Sequence, residues 1–250
     1  MDDTPRPLID HLHELRRRLF WILGTWAVFA GIAGYWVKDV FELLMGPAIG
    51  PVRAHGHKLI VIAPPELFFT YVKSALLAGF VVSVPMTLYQ IWAFVSPGLY
   101  KKERRFAMPF VLATSALFFS GCAFGYFVAF PNVFEYFLSL EADYVTTSWT
   151  TNTLFSFMSR LYLAFGISFQ LPVVMFFLAL AGIARPEALA RGRKYAVVVM
   201  FAASAVLTPP DIVSQVMLAL PLCVLYESGI WISRVVVRRQ SESATPSAAE

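Results

Sequence analysis

Long uncharged, apolar runs separated by short charged clusters make up most of this chain. Leu19 to Val37, Ser74 to Tyr100, Phe106 to Phe134 and Leu161 to Ala184 hold no charged residue. Tyr195 to Leu207 follows, and then Ile212 to Ile232, interrupted only by Glu227. A helix needs about 20 apolar residues to cross a hydrocarbon core of roughly 30 Å. The pattern therefore predicts six membrane helices, of which the last two are short. The fifth run, roughly 20 Å of helix, reads as a short true span in preference to one arm of a re-entrant hairpin. Basic residues precede the first run as they precede a signal peptide. The run is long for that and lacks an Ala-x-Ala cleavage site, so it reads as a retained span.

Punctuation refines these elements. Ala63-Pro64-Pro65-Glu66 fits a helix start, with prolines in the first turn and an acid where the macrodipole favours it. A helix from Glu66 to Val95 is roughly 45 Å long, too long for an upright span, so it tilts or protrudes. Residues 38 to 65 read as the largest outer loop. Thr208-Pro209-Pro210-Asp211 reads as a turn reaching water, with Asp211 capping the next helix. Pro85, Pro172 and Pro221 fall inside spans two, four and six and predict kinks, hence a curved wall of unequal helices. No internal repeat is evident.

Composition agrees with a lipid environment. The chain is 58% apolar and only 14% charged, with a mean hydropathy of +0.65, whereas globular chains are about 25% charged. This excludes a soluble enzyme, a secreted disulfide scaffold and a disordered chain. Cys122 and Cys223 lie in apolar runs, where they read as small hydrophobes. The net charge of +4 matters less than its placement. Fifteen of the 20 basic residues fall in the N-terminal segment, the second-to-third and fourth-to-fifth connections, and the tail. By the positive-inside rule both termini are cytoplasmic. The expected organisation is an N-terminal segment (1–18), a membrane domain (19–237) and a disordered cytoplasmic tail (238–250), whose Ser, Ala, Glu and Pro cannot order themselves.

Catalytic chemistry is sparse. No phosphate-binding glycine loop or H-E-x-x-H pattern occurs. The His11/His13 and His55/His57 pairs have no neighbouring cysteine or acid set that suggests a metal, so no catalytic residue, metal or cofactor is expected. The polar residues in or beside spans are Gln90, Arg160, Gln170, Gln215 and Glu227. Such groups are costly in lipid. They read either as hydrogen-bonding braces between helices or, with Gln170, Gln215 and Thr208 as a patch, as a site that recruits another membrane helix. At the cytoplasmic rim, Glu14 lies among Arg16, Arg17 and Arg18, and Glu103 among Lys101, Lys102, Arg104 and Arg105. Taken locally, Glu14 forms an i,i+4 pair with Arg18, and Glu103 balances its neighbours.

Several separate motifs then occur in order: His11-Leu-His-Glu14-Leu-Arg16-Arg-Arg18, Tyr89-Gln90-Ile-Trp92-Ala-Phe94 and Pro97-Gly-Leu-Tyr100-Lys-Lys-Glu103-Arg-Arg. Phe124-Gly-Tyr-Phe127, Phe165-Gly-Ile-Ser-Phe-Gln170-Leu-Pro172 and Leu207-Thr-Pro-Pro-Asp211 follow. In these the chain resembles the TatC family, the receptor subunits of the bacterial twin-arginine protein translocase, over about residues 8 to 237. The resemblance implies a glove-shaped six-helix fold in the bacterial inner membrane. It implies binding of twin-arginine signal peptides and export of folded proteins with TatA- and TatB-type partners, in an oligomer and driven by the proton-motive force. The family's recognition residues fall on Glu14, Arg16, Phe94 and Glu103. Pro47, Thr208, Asp211 and Gln215 match outer-side or intramembrane positions. Where many members carry Glu, this chain has Gln170, which cannot titrate.

The physical logic supports recognition by carboxylates. A guest with two guanidiniums meets a strongly cationic face, so only fixed, partly desolvated acids attract it, through forked charge-assisted bonds that lysine cannot match. Arg16 either orients a carboxylate or contacts the guest backbone. The competing reading, an ion-coupled solute transporter, calls for midplane ionisable groups, broken helices and repeat symmetry, of which the sequence offers little. A membrane-embedded enzyme lacks a catalytic constellation, and nothing suggests a nucleic-acid partner.

Overall fold

The computed structural model describes residues 8–95, 107–140, 149–180, 182–183, 185–208 and 211–244. Ten α-helices account for most of them. These are α1 (Leu8–Tyr35), α2 (Val37–Ala54), α3 (Pro64–Val95), α4 (Ala107–Phe124), α5 (Phe130–Ser139), α6 (Thr151–Ser168), α7 (Leu171–Leu180), α8 (Pro186–Arg191), α9 (Arg193–Leu207) and α10 (Ile212–Ala244). A π-helical turn, Gly125–Ala129, joins α4 to α5. Among the described residues no strand forms, only an isolated parallel bridge between Ile60 and Thr150.

Five stretches of the described residues are long and apolar enough to cross a membrane. They are Leu12–Tyr35, Pro64–Phe94, Met108–Ser139, Thr151–Leu180 and Ile212–Val235. At 15 residues, about 22 Å, α9 is shorter than these.

Three sequence expectations need correction. Residues 38 to 65 are not simply a loop, because α2 occupies Val37–Ala54. Phe41, Met45, Ala48 and Val52 are buried along it at helical spacing, and this stripe outweighs Pro47 and Pro51, both inside the helix. The sixth run is not short: α10 extends over 33 residues, since no glycine or proline follows Gly229 to stop it before Ala244. It thus runs through Arg238, where the disordered tail is expected to begin. Pro172 does not kink a continuous fourth span. The span is interrupted at Phe169–Gln170, and Pro172 sits in the first turn of α7, where its missing N–H costs nothing. Pro85 and Pro221 lie within uninterrupted helices.

The chain divides into two compact units, one comprising residues 1–46, 59–116 and 149–155, the other 47–58, 117–148 and 156–250. In the first, α1 packs antiparallel along α3. Arg18 meets Gln90 and Ala93, Trp26 donates its indole N–H to Leu76 O at 2.8 Å, and Gly34 approaches Ala75. Glu66 caps α3 from within, accepting the Ile62 amide at 2.8 Å and the Asn152 amide at 3.0 Å. In the second unit, the stretch from Leu117 to Phe134 runs antiparallel to α6. Gly166 lies against Phe118, Gly121 against Phe165 O, Cys122 Sγ against Tyr162 O, and Phe130 edge-on to Tyr162. There α10 packs on α7 through Ser233 and Met175.

Candidate functional site

The first turns of α1 carry the acid that the sequence singled out. Four residues separate Glu14 from Arg18, so both project from one face of the helix. Arg18 donates to Glu14 Oε1 from Nε at 3.1 Å and also from Nη2. Its reach does not end there. Nη1 donates to Gln90 Oε1 at 3.1 Å and Nη2 to Ala93 O at 3.1 Å, both on the last turns of α3. The side chains of Arg18 and Glu14 are only 17% and 15% exposed, and Gln90 is buried. The pair is therefore more than a surface ornament: it fixes the carboxylate in a partly desolvated place, where charge-assisted bonds are stronger than in water.

Phe94 is the next residue after Ala93 and half-buried. Fold geometry thus brings Glu14 to the α3 turn that contains Phe94. Arg16 lies elsewhere on α1, exposed, with its guanidinium 5.7 Å from the centre of the Phe20 ring. A groove along that face is lined by His13, Arg16, Arg17, Phe20, Trp21 and Gly24. The residue that orients the carboxylate is Arg18. Glu103, with the whole connection 96–106, lies outside the described residues, as do Pro209 and Pro210.

The polar residues of the second unit are engaged mostly in bracing. Gln170 sits at the interruption between α6 and α7, where its backbone N–H donates to Ile167 O and its backbone carbonyl accepts the Val173 and Val174 amides. Thr208 closes α9 with its hydroxyl on Ser204 O at 2.9 Å. Gln215 Nε2 donates to Phe201 O at 3.1 Å, tying α10 to α9. Glu227 forms a two-pronged ion pair with Arg193, Nε to Oε1 at 2.6 Å and Nη2 to Oε2 at 2.9 Å, with both side chains about half exposed. Asp211 Oδ1 accepts the Ser214 amide at 2.7 Å at the start of α10. Pro47 is buried in α2.

Sequence reasoning noticed the spacing of Glu14 and Arg18 and named Gln90 as an intramembrane polar residue. It did not join them, because 72 residues separate Arg18 from Gln90 and only the α1–α3 register brings them together.

Comparison with known proteins bears on this geometry. A family model described as "Sec-independent protein translocase protein (TatC)" matches residues 10–221. The chain belongs to the TatC family. It is 39% identical over 241 residues to the Sec-independent protein translocase protein TatC of Desulforapulum autotrophicum, covering 96% of this chain and 88% of that one. It is 38% identical over 238 residues to TatC of Escherichia coli K12, covering 95% and 91%. A crystal structure of the twin-arginine translocase receptor TatC superposes with a TM-score of 0.81 at 36% identity, covering 91% of this chain and all of that one. As a TatC-family member the chain is a multi-pass bacterial membrane protein of a protein translocase, a transport component rather than an enzyme.

Proposed function

We propose that this TatC-family chain reads twin-arginine signal peptides at the cytoplasmic face of the inner membrane, with Glu14, Arg16, Phe94 and Glu103 forming the recognition surface. The observation that carries this reading is that Glu14 already holds a guanidinium, in a partly buried position beside the α3 turn of Phe94. A place that accepts one arginine side chain with several aligned acceptors has the chemistry a guest arginine requires.

The remaining assignments follow from the same reading. The chain crosses six times, α9 being a short span that thins the bilayer, with both ends inside, as its basic residues favour. Its membrane domain covers residues 19–237, and a cytoplasmic tail (238–250) begins within α10. TatA- and TatB-type single-helix proteins assemble with it into an oligomer that exports folded cargo on the proton-motive force. Gln170 and Thr208 face those partners. Gln215 and Glu227 brace α9 against α10, which their bonds to Phe201 O and Arg193 favour. Pro47 and Asp211 shape the outer side.

The test is crosslinking of the purified full chain to a twin-arginine peptide, with Glu14→Ala and Glu103→Ala alongside. Each replacement should weaken crosslinking at least tenfold, the loss of one charge-assisted fork at about 1.5–3 kcal/mol. Undiminished crosslinking in both, or equal capture of twin-arginine and twin-lysine peptides, defeats the proposal.

A further inference from the structure

Resting on that signal-peptide reading, one feature of the site goes beyond it: the guanidinium on Glu14 belongs to the chain itself. Arg18 spreads its donors over Glu14, Gln90 Oε1 and Ala93 O, the forked arrangement that arginine alone can satisfy. We infer that Arg18 is an internal stand-in for the guest, which occupies Glu14 in the unliganded receptor and sets the threshold an arriving cation must exceed.

The exchange can be followed bond by bond. When a guest arginine takes Glu14 from Arg18, one set of charge-assisted bonds breaks and an equivalent set forms, so a single arginine gains little. Arg18 is not stranded, because Gln90 Oε1 and Ala93 O still accept from it. Were those two acceptors missing, displacement would leave a partly buried cation with nothing to bond and no guest would succeed. A guest lysine exchanges at a loss, offering a compact ammonium in place of a fork. A single arginine therefore gains little at Glu14, and net affinity has to come from the neighbouring residues of the guest, a second arginine among them. Arg18 opposes every guest arginine at this position alike and so sets how tightly the receptor binds at all. It is a positioning residue and an internal competitor, which touches the guest's position rather than the guest.

The full-length chain in lipid nanodiscs is titrated with fluorescent peptides that differ only in carrying Arg-Arg, Arg-Lys or Lys-Lys, and Kd is read by anisotropy. The wild type should bind Arg-Arg well and the other two poorly. In Arg18→Met the Arg-Arg and Arg-Lys peptides should both bind about tenfold tighter, the worth of one displaced charge-assisted contact. Arg18→Lys retains the cation without the fork and should shift the same way by a smaller factor, which keeps the question decidable if the methionine variant does not assemble. Unchanged or weaker binding of the Arg-Arg peptide in both variants overturns the inference. Glu14→Gln separates the two levels. If it leaves Arg-Arg binding intact, the signal-peptide reading itself fails; if it weakens binding while the Arg18 variants leave the Arg-Arg affinity unchanged, only the stand-in role falls.

Discussion

Gly79 of α3 lies directly against the backbone of Ala30 on α1. A methyl group at Gly79 would sit 2.6 Å from Ala30 Cα and 2.8 Å from its Cβ, far inside van der Waals contact. Small residues at a crossing let two membrane helices approach closely where no hydrophobic drive exists between them. The same crossing sets the register that delivers Arg18 to Gln90.

Gly79→Ala should therefore lower the thermal stability of the purified chain in detergent, by about 1–3 kcal/mol for overpacking against backbone. It should also weaken signal-peptide crosslinking, through a shift of α1 along α3. Gly31→Ala on α1, where a methyl meets nothing within 4 Å, should change neither. Equal stability of the two variants would show that the crossing is looser than described.

Glu66 holds three backbone amides, those of Ile62, Ala63 and Asn152. Glu66→Ala removes an acceptor shared by the α3 start and the α6 start, and Lys73 still donates to Asn152 Oδ1 at 2.8 Å. Hydrogen exchange should accelerate at the Ile62 and Asn152 amides while amides in the middle of α3 stay protected. Uniform acceleration along α3 would mean that the acid supports the whole helix and not its cap.

How much of this was legible beforehand depends on the range over which each feature is encoded. The limits of α3 were readable because the signals are local: two prolines and an acid at its start, and an unbroken apolar run to Val95. The same holds for Asp211 at the head of α10. By contrast, α2 was hidden, since Pro47, Pro51 and the glycines around them resemble loop chemistry, and its buried stripe of four residues is visible only when a helix is assumed. The interruption at Gln170 and the π turn at Gly125–Ala129 leave little mark in hydropathy, because one glutamine and one glycine sit in runs that are otherwise apolar on both sides. At the candidate site, Glu14 and Phe94 were reached through motif likeness and Glu14–Arg18 through helical spacing. The clamp onto Gln90 and Ala93 depends on a helix crossing set far away, in part by Gly79, which no local pattern announces.

Arg193 and Glu227 form a fork across α9 and α10, but with both side chains about half in solvent. Screening and side-chain entropy limit such pairs to about 0.2–1 kcal/mol. A double-mutant cycle of Arg193→Gln and Glu227→Gln, followed by thermal unfolding, should return a coupling in that range and one that shrinks in high salt. A coupling several-fold larger would mean that the pair is shielded in the membrane, and that Glu227 contributes to the bundle as a buried charge.

The direction of the chain in the bilayer is open to a labelling test that needs only single cysteines. Cys122 and Cys223 are free thiols, so both are first replaced by alanine. A membrane-impermeant maleimide applied to intact spheroplasts should label Ala142→Cys, in a connection that lacks basic residues and is proposed to face outward, and spare Ser241→Cys until the membrane is opened. Ile212→Cys decides the short helix. Ile212 is 77% exposed at the first position of α10, and if α9 crosses completely this position labels from outside. Were α9 one arm of a re-entrant hairpin, the turn would stay buried and Ile212→Cys would remain unlabelled from either face. Labelling of Ser241→Cys from outside would reverse the topology and place Glu14, with the site proposed around it, on the wrong side of the membrane for a receptor of cytoplasmic signal peptides.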